Sequence, residues 1–154
     1  MPALWRVVKR THAATAFDGK AAAHFGGRWN SPGRRVVYTS GSKSLALLEI
    51  LVHLDVGRSV PRLVAFTFDA DDRLVEHLQA TRLPRHWRTS RGLSETQRIG
   101  DEWLAFGRSL VLEVPSAIVP EESNYLLNPL HPAFGRLRVG RPVPVILDPR
   151  LAQR

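Results

Sequence analysis

The chain has 154 residues, 44% of them hydrophobic, no cysteine, and 22 lysines plus arginines against 14 acidic residues, a formal charge of +8. The length fits a single domain with one core, the apolar share excludes a disordered chain, and the lack of cysteine excludes disulfides and thiolate metal sites. Nearly all of the positive charge is arginine, which suits nucleic acid, a phosphate-bearing small molecule or an acidic protein partner. The opening "MPALWRVVKRTHAATAF" offers no apolar stretch for a signal peptide. "LALLEILVHL" is too short to cross a bilayer and carries a glutamate, so a cytoplasmic protein with no membrane association is expected.

In chain order, "ALWRVV" (3–8) reads as a first strand and 9–27 as a polar, glycine-containing approach to Arg28. "RVVYTS" (35–40), behind the turn "NSPG", reads as a second strand. From Ser42, a candidate cap, the apolar positions Leu45, Ala46, Ile50 and Leu54 follow a helical period. "RLVAFTF" (62–68) predicts a strand ending at the acidic turn "DADD", and 81–93 an exposed loop. Ser94 and Gln97 have the spacing of a capping box, with Ile99, Trp103 and Phe106 as the apolar stripe of the helix it would start. "SLVLEVP", "NYLL", "GRLRVG" and "VPVILD" then predict a run of short strands. The sum is one α+β domain over 1–154, a mixed sheet with flanking helices and more strand than helix in its second half.

Three islands could carry chemistry. In "FGGRWNSPGRRVVYTS" (25–40), glycines at 26 and 27 permit positive φ and leave room for close approach of a ligand. The planar fork of Arg28 suits phosphate or carboxylate, although a glycine turn with a solvent-facing arginine fits equally well. The glycine pair matches neither GxGxxG nor a Walker loop. Tyr38 ends the strand that follows, where a tyrosine often only packs; the turn could bring it to the same edge as Arg28. Glu49 interrupts an otherwise greasy helix, with His53 four residues on. It is either part of a polar stripe or buried and paired, with Arg28 as one conceivable cation. In "EESNYLLNPLHP" (121–132), Ser123, Asn124 and Asn128 could cap turns or bind a ribose or amide, and no GxSxG surrounds Ser123. The histidines show no ligand spacing, so no metal site is expected.

The segments "LWRV", "GGRWNSPGRRVVYTS", "ALLEILVHL" and "ESNYLLNPLHP", in this order and over nearly the whole chain, resemble the RES domain, a bacterial toxin family of toxin–antitoxin pairs. On that resemblance the family's arginine falls on Arg28, its tyrosine on Tyr38, its glutamate on Glu49 and its serine on Ser123. Asn124 and Asn128 are weaker carry-overs. The resemblance implies a fold similar to that of ADP-ribosyltransferases and NAD as substrate, its nicotinamide–ribose bond cleaved by hydrolysis or phosphorolysis. It also implies a cognate Xre-type helix-turn-helix antitoxin, with DNA engaged only through that partner. Two alternatives stand beside it. One is a protein ADP-ribosyltransferase using the same pocket; the other is a basic nucleic-acid-binding module built on "TRLPRHWRTSRG" (81–92), for which no accompanying nucleic-acid motif is present.

Overall fold

The computed structural model describes residues 1–54 and 60–152. Seven strands form one mixed sheet: β1 (Ala3–Lys9), β2 (Val37–Ser40), β3 (Leu63–Asp69), β4 (Val75–His77), β5 (Val111–Pro115), β6 (Ser123–Leu127) and β7 (Val143–Val145). Their order across the sheet is β4-β5-β6-β2-β1-β3-β7, antiparallel throughout except for the parallel β4–β5 pair. Three helices accompany it: α1 (Lys20–Phe25), α2 (Lys43–Leu51) and α3 (Leu93–Phe106). The fold is α+β, with a mixed sheet flanked by helices, and no helix among the described residues is long and apolar enough to cross a membrane.

Strand alternation sorts the core onto two faces. On one, Leu112, Val114 and Leu126 meet Ile99 and Trp103 of α3 together with Trp29 and Val36. Farther along that layer Ala46 of α2 packs on Val7, Leu63 and Ala65. On the opposite face Leu4, Val37, Val111 and Leu127 are covered by Ala133, Phe134, Leu137 and Val139. The Ser42 hydroxyl accepts from the Leu45 N–H at 3.1 Å, so α2 starts where its cap was expected, a bond typically worth about 1 kcal/mol.

The sheet has one opening. β1 pairs with β3 from Ala3↔Asp69 to Lys9↔Leu63, but with β2 only at Trp5↔Ser40. Beyond that bridge the strands part. There Arg6 replaces a ladder bond with a side-chain one: Nη1 donates to the Tyr38 carbonyl at 2.8 Å while Nε donates to the Ala16 carbonyl at 2.6 Å.

The polar approach to Arg28 contains α1 between two glycines of positive φ, Gly19 and Gly26. Three expectations need correction. The capping box does not form: α3 begins at Leu93, and Gln97 spends its amide on the Gly27 carbonyl at 2.9 Å instead. "GRLRVG" is not a strand, because Phe134–Arg136 make a 3-10 turn and Leu137 and Val139 fold inward onto the sheet. "VPVILD" yields only the three residues of β7, with Ile146 exposed beyond it.

Gly100 sets the spacing between α3 and the Arg28–Trp29 segment, because a Cβ there would overlap the Trp29 carbonyl. Gly100→Ala should lower unfolding stability by about 3 kcal/mol or more, read as a fall in denaturation midpoint without a change in slope.

Candidate active site

The parted strands open onto a cavity of about 880 Å³. That is large enough for an extended organic ligand. Arg28, Tyr38, Glu49 and Asn124 all line it, although they come from a turn, two strands and a helix. Ser123 and Asn128 do not.

Arg28 sits in a tight turn closed by the Gly27 N–H on the Asn30 carbonyl at 2.9 Å. Gly26 has φ of 73°, the left-handed region that favours glycine. Gly27 is needed for another reason. A Cβ there would lie 2.6 Å from the Tyr38 hydroxyl oxygen, so the space that the sequence suggested for a ligand holds a phenol. That hydroxyl donates to Asn30 Oδ1 at 2.6 Å and accepts from the Trp29 N–H at 3.1 Å. Tyr38 therefore clamps the turn that presents Arg28. Asn30, fully buried, completes the clamp with Nδ2 on the carbonyls of Ala22 and Arg34. Nη1 of Arg28 donates to the carbonyls of Trp87 and Thr89, at 3.0 and 2.8 Å. One end of the fork is thus fixed by neutral acceptors.

Glu49 reaches the cavity from α2 and is held by two neutral donors. Ser116 Oγ donates to Oε1 at 2.9 Å, and Asn124 Nδ2 donates to the same oxygen at 2.6 Å. Ser116, itself fully buried, is oriented by the N–H groups of Ile118 and Val119, each 3.1 Å from its hydroxyl. Asn124 is oriented by Ser40, whose hydroxyl donates to Oδ1 at 2.8 Å. Arg28 and Glu49 form no ion pair with each other, nor does either form one with another described residue.

Successive residues of a strand face opposite sides of a sheet. Asn124 faces the cavity, and so Ser123 faces away, its hydroxyl donated to Glu113 Oε1 at 2.7 Å. Asn128 is a turn residue: Oδ1 accepts from the Leu130 N–H and Nδ2 donates to the Leu104 carbonyl. The serine beside the carboxylate is Ser116, which the sequence reading passed over. Arg6 was missed too. It lines the cavity, and burial, opposed by the charge of Asp18, lowers its guanidinium to about 10, which leaves it cationic at neutral pH.

A family model described as the RES domain matches residues 3–148. The chain belongs to the RES domain family. It is 39% identical over 149 residues to Toxin Res of Yersinia enterocolitica, covering 96% of this chain and 98% of that protein. It is 32% identical over 155 residues to a protein of Sphingobium sp. named Prs ADP-ribosylating toxin, at 97% and 96% coverage. The fold resembles a chain of the M. tuberculosis MbcT–MbcA toxin–antitoxin complex, with a TM-score of 0.75 at 20% identity, over 98% of this chain and 86% of that one.

In this RES domain the Tyr38 phenol is pushed well above its ordinary range, chiefly by burial, with the Trp29 N–H opposing the shift. A group with a raised folded value contributes stability below its unfolded value, about 10 for a phenol, and loses it as pH rises past that point. Of the two tyrosines, Tyr125→Phe leaves Tyr38 alone to be followed. In that variant, phenolate absorbance should appear only together with loss of the folded circular-dichroism signal at alkaline pH, not before it.

Proposed function

We propose that this RES domain is a bacterial toxin that degrades NAD by cleaving the nicotinamide–ribose bond, to water or to phosphate. The observation that carries this reading is the pairing of unneutralised opposite charges in one cavity: a carboxylate held by Ser116 and Asn124, and guanidinium groups held by carbonyls. A dinucleotide needs both. Its diphosphate calls for the cations, and its reacting ribose develops positive charge.

In this reading Arg28, with Nη1 anchored, turns the rest of its fork to the diphosphate, and Arg6 adds a second positive charge across the gap between β1 and β2. The Tyr38 ring lines the slot beside the nicotinamide or ribose while its hydroxyl holds the turn. Glu49, fixed through Oε1, presents Oε2 to the sugar. There it bonds a ribose hydroxyl and offsets charge as the C–N bond lengthens, or it orients the attacking water or phosphate. Nicotinamide leaves as a neutral molecule because the ring already carries positive charge in NAD, so no strong general acid is required. Asn124 and Ser116 keep the carboxylate aimed.

The protein acts in the cytoplasm, and the proposed partner is an Xre-type helix-turn-helix antitoxin that carries any DNA contact. Phe25 and Val52 border the cavity with 79% and 59% of their surface exposed, an apolar rim suited to being covered.

Purified protein incubated with NAD should release nicotinamide together with ADP-ribose, or with ADP-ribose 1-phosphate when inorganic phosphate is present, as read by mass spectrometry. Glu49→Gln should lower kcat by about a hundredfold with little change in KM, and Arg28→Ala should raise KM as well as lower kcat. Full NAD consumption by the Glu49→Gln protein would remove the carboxylate from the mechanism. A second reading, transfer of ADP-ribose to a protein, is favoured by the name of the Sphingobium relative. NAD labelled in the adenylate would leave label on a protein band if that reading holds, and only in free nucleotide products if degradation does.

A further inference from the structure

Residues 84–92 fold into a compact strap beside Arg28, a residue of the cavity wall. The Trp87 N–H donates to the Pro84 carbonyl, the Thr89 N–H to that of His86, and the Gly92 N–H to that of Thr89. A Cβ at Gly92 would overlap the His86 carbonyl, so the turn closes this tightly only with glycine at 92. The Trp87 indole rests near that of Trp29, ring centroids 6.1 Å apart, which fastens the strap to the core under α3.

The strap faces two ways. The carbonyls of Trp87 and Thr89 point to Arg28 and hold its Nη1. The side chain between them, Arg88, runs the other way, and its Nε donates to the Ala117 carbonyl at 3.0 Å. Ala117 directly follows Ser116, the residue whose hydroxyl holds Glu49, and Ala117 and Ile118 form part of the cavity wall. A continuous path of hydrogen bonds and backbone thus runs from the guanidinium of Arg28 through the strap and the 116–119 turn to the carboxylate of Glu49. Arg88 is the one side chain of the strap bonded to that turn among the described residues.

We propose that Arg88 is a positioning residue: by tying the strap to the 116–119 turn, it sets the placement of the Glu49 carboxylate relative to Arg28. A long exposed side chain gives up rotamer freedom to reach a distant backbone carbonyl. The catalytic pair is sensitive to the resulting spacing, because displacement of a reacting group by about an ångström costs orders of magnitude in rate. Arg88 lies within the arginine-rich stretch 81–92, which gives one of those charges a role inside this molecule.

The inference rests on the reading of the cavity as an NAD site, and two measurements separate the failure of one from the failure of the other. In steady-state NAD consumption, Arg88→Ala should lower kcat about tenfold with KM changed less than twofold and the thermal midpoint nearly unchanged. Arg88→Lys, which keeps a donor, should recover part of the loss. In hydrogen exchange, which needs no substrate, Arg88→Ala should speed exchange at the amides of Ile118 and Val119, whose N–H groups bond Ser116. Unchanged exchange at those two amides overturns the proposal whatever the activity. A rise in KM matching the fall in kcat overturns it too, by making Arg88 a ligand contact. If wild-type protein leaves NAD intact, the substrate reading falls and exchange alone decides the strap.

Discussion

The early parting of β1 from β2 is the constraint on which the rest of the structure depends. An ungapped ladder between these strands would close the centre of the sheet and leave no room for a ligand. Because pairing stops at Trp5↔Ser40, the carbonyl of Tyr38 is left without a strand partner, and a buried carbonyl must find a donor elsewhere. Arg6 supplies it. The same side chain that satisfies the backbone also places a cation at the gap, so the repair of the ladder and the electrostatics of the cavity are one feature.

Arg6, Arg28 and Glu49 are positioned in the cavity without a direct ion pair to any described residue. Arg6 and Arg28 are held by backbone carbonyls, and Glu49 by a hydroxyl and an amide. A carboxylate–guanidinium pair would have fixed the same side chains while cancelling the field they project. Dipoles fix geometry and leave net charge available to a bound molecule. The ion pairs among the described residues lie instead on the outside, as in Arg73–Asp71 and Arg98–Glu102, where each contributes little.

Much of the fold was legible because short-range chemistry governs it. Short apolar runs announced β1, β2 and β3, with turns marking the start of β2 and the end of β3, and the Ser42 hydroxyl marked the start of α2. The capping box at Ser94 failed because Gln97 found a tertiary acceptor, the Gly27 carbonyl, that no local pattern encodes. Glu49 stood out as a charge on a greasy helix. Its partners did not, since Ser116 lies 67 residues away and follows a proline, with nothing local to distinguish it from a turn serine. Ser123 and Asn124 are adjacent, so only strand phase decides which of them faces the cavity, and phase is not readable until the partner strands are known. Gly27 was read as room for a ligand, but that room is taken by the Tyr38 hydroxyl, which arrives from another element.

The strand order also bears on when the cavity can exist during synthesis. β2 pairs with β6, whose Asn124, like Ser116 directly after β5, holds Glu49. A nascent chain whose emerged portion stops short of these residues carries the arginine turn and the glutamate helix but neither of the groups that aim the carboxylate. With pairings this distant along the chain, assembly waits for residues 116–127 to leave the ribosome. The pocket therefore matures only once β6 has emerged, which leaves any shorter ribosome-bound polypeptide without an organised centre.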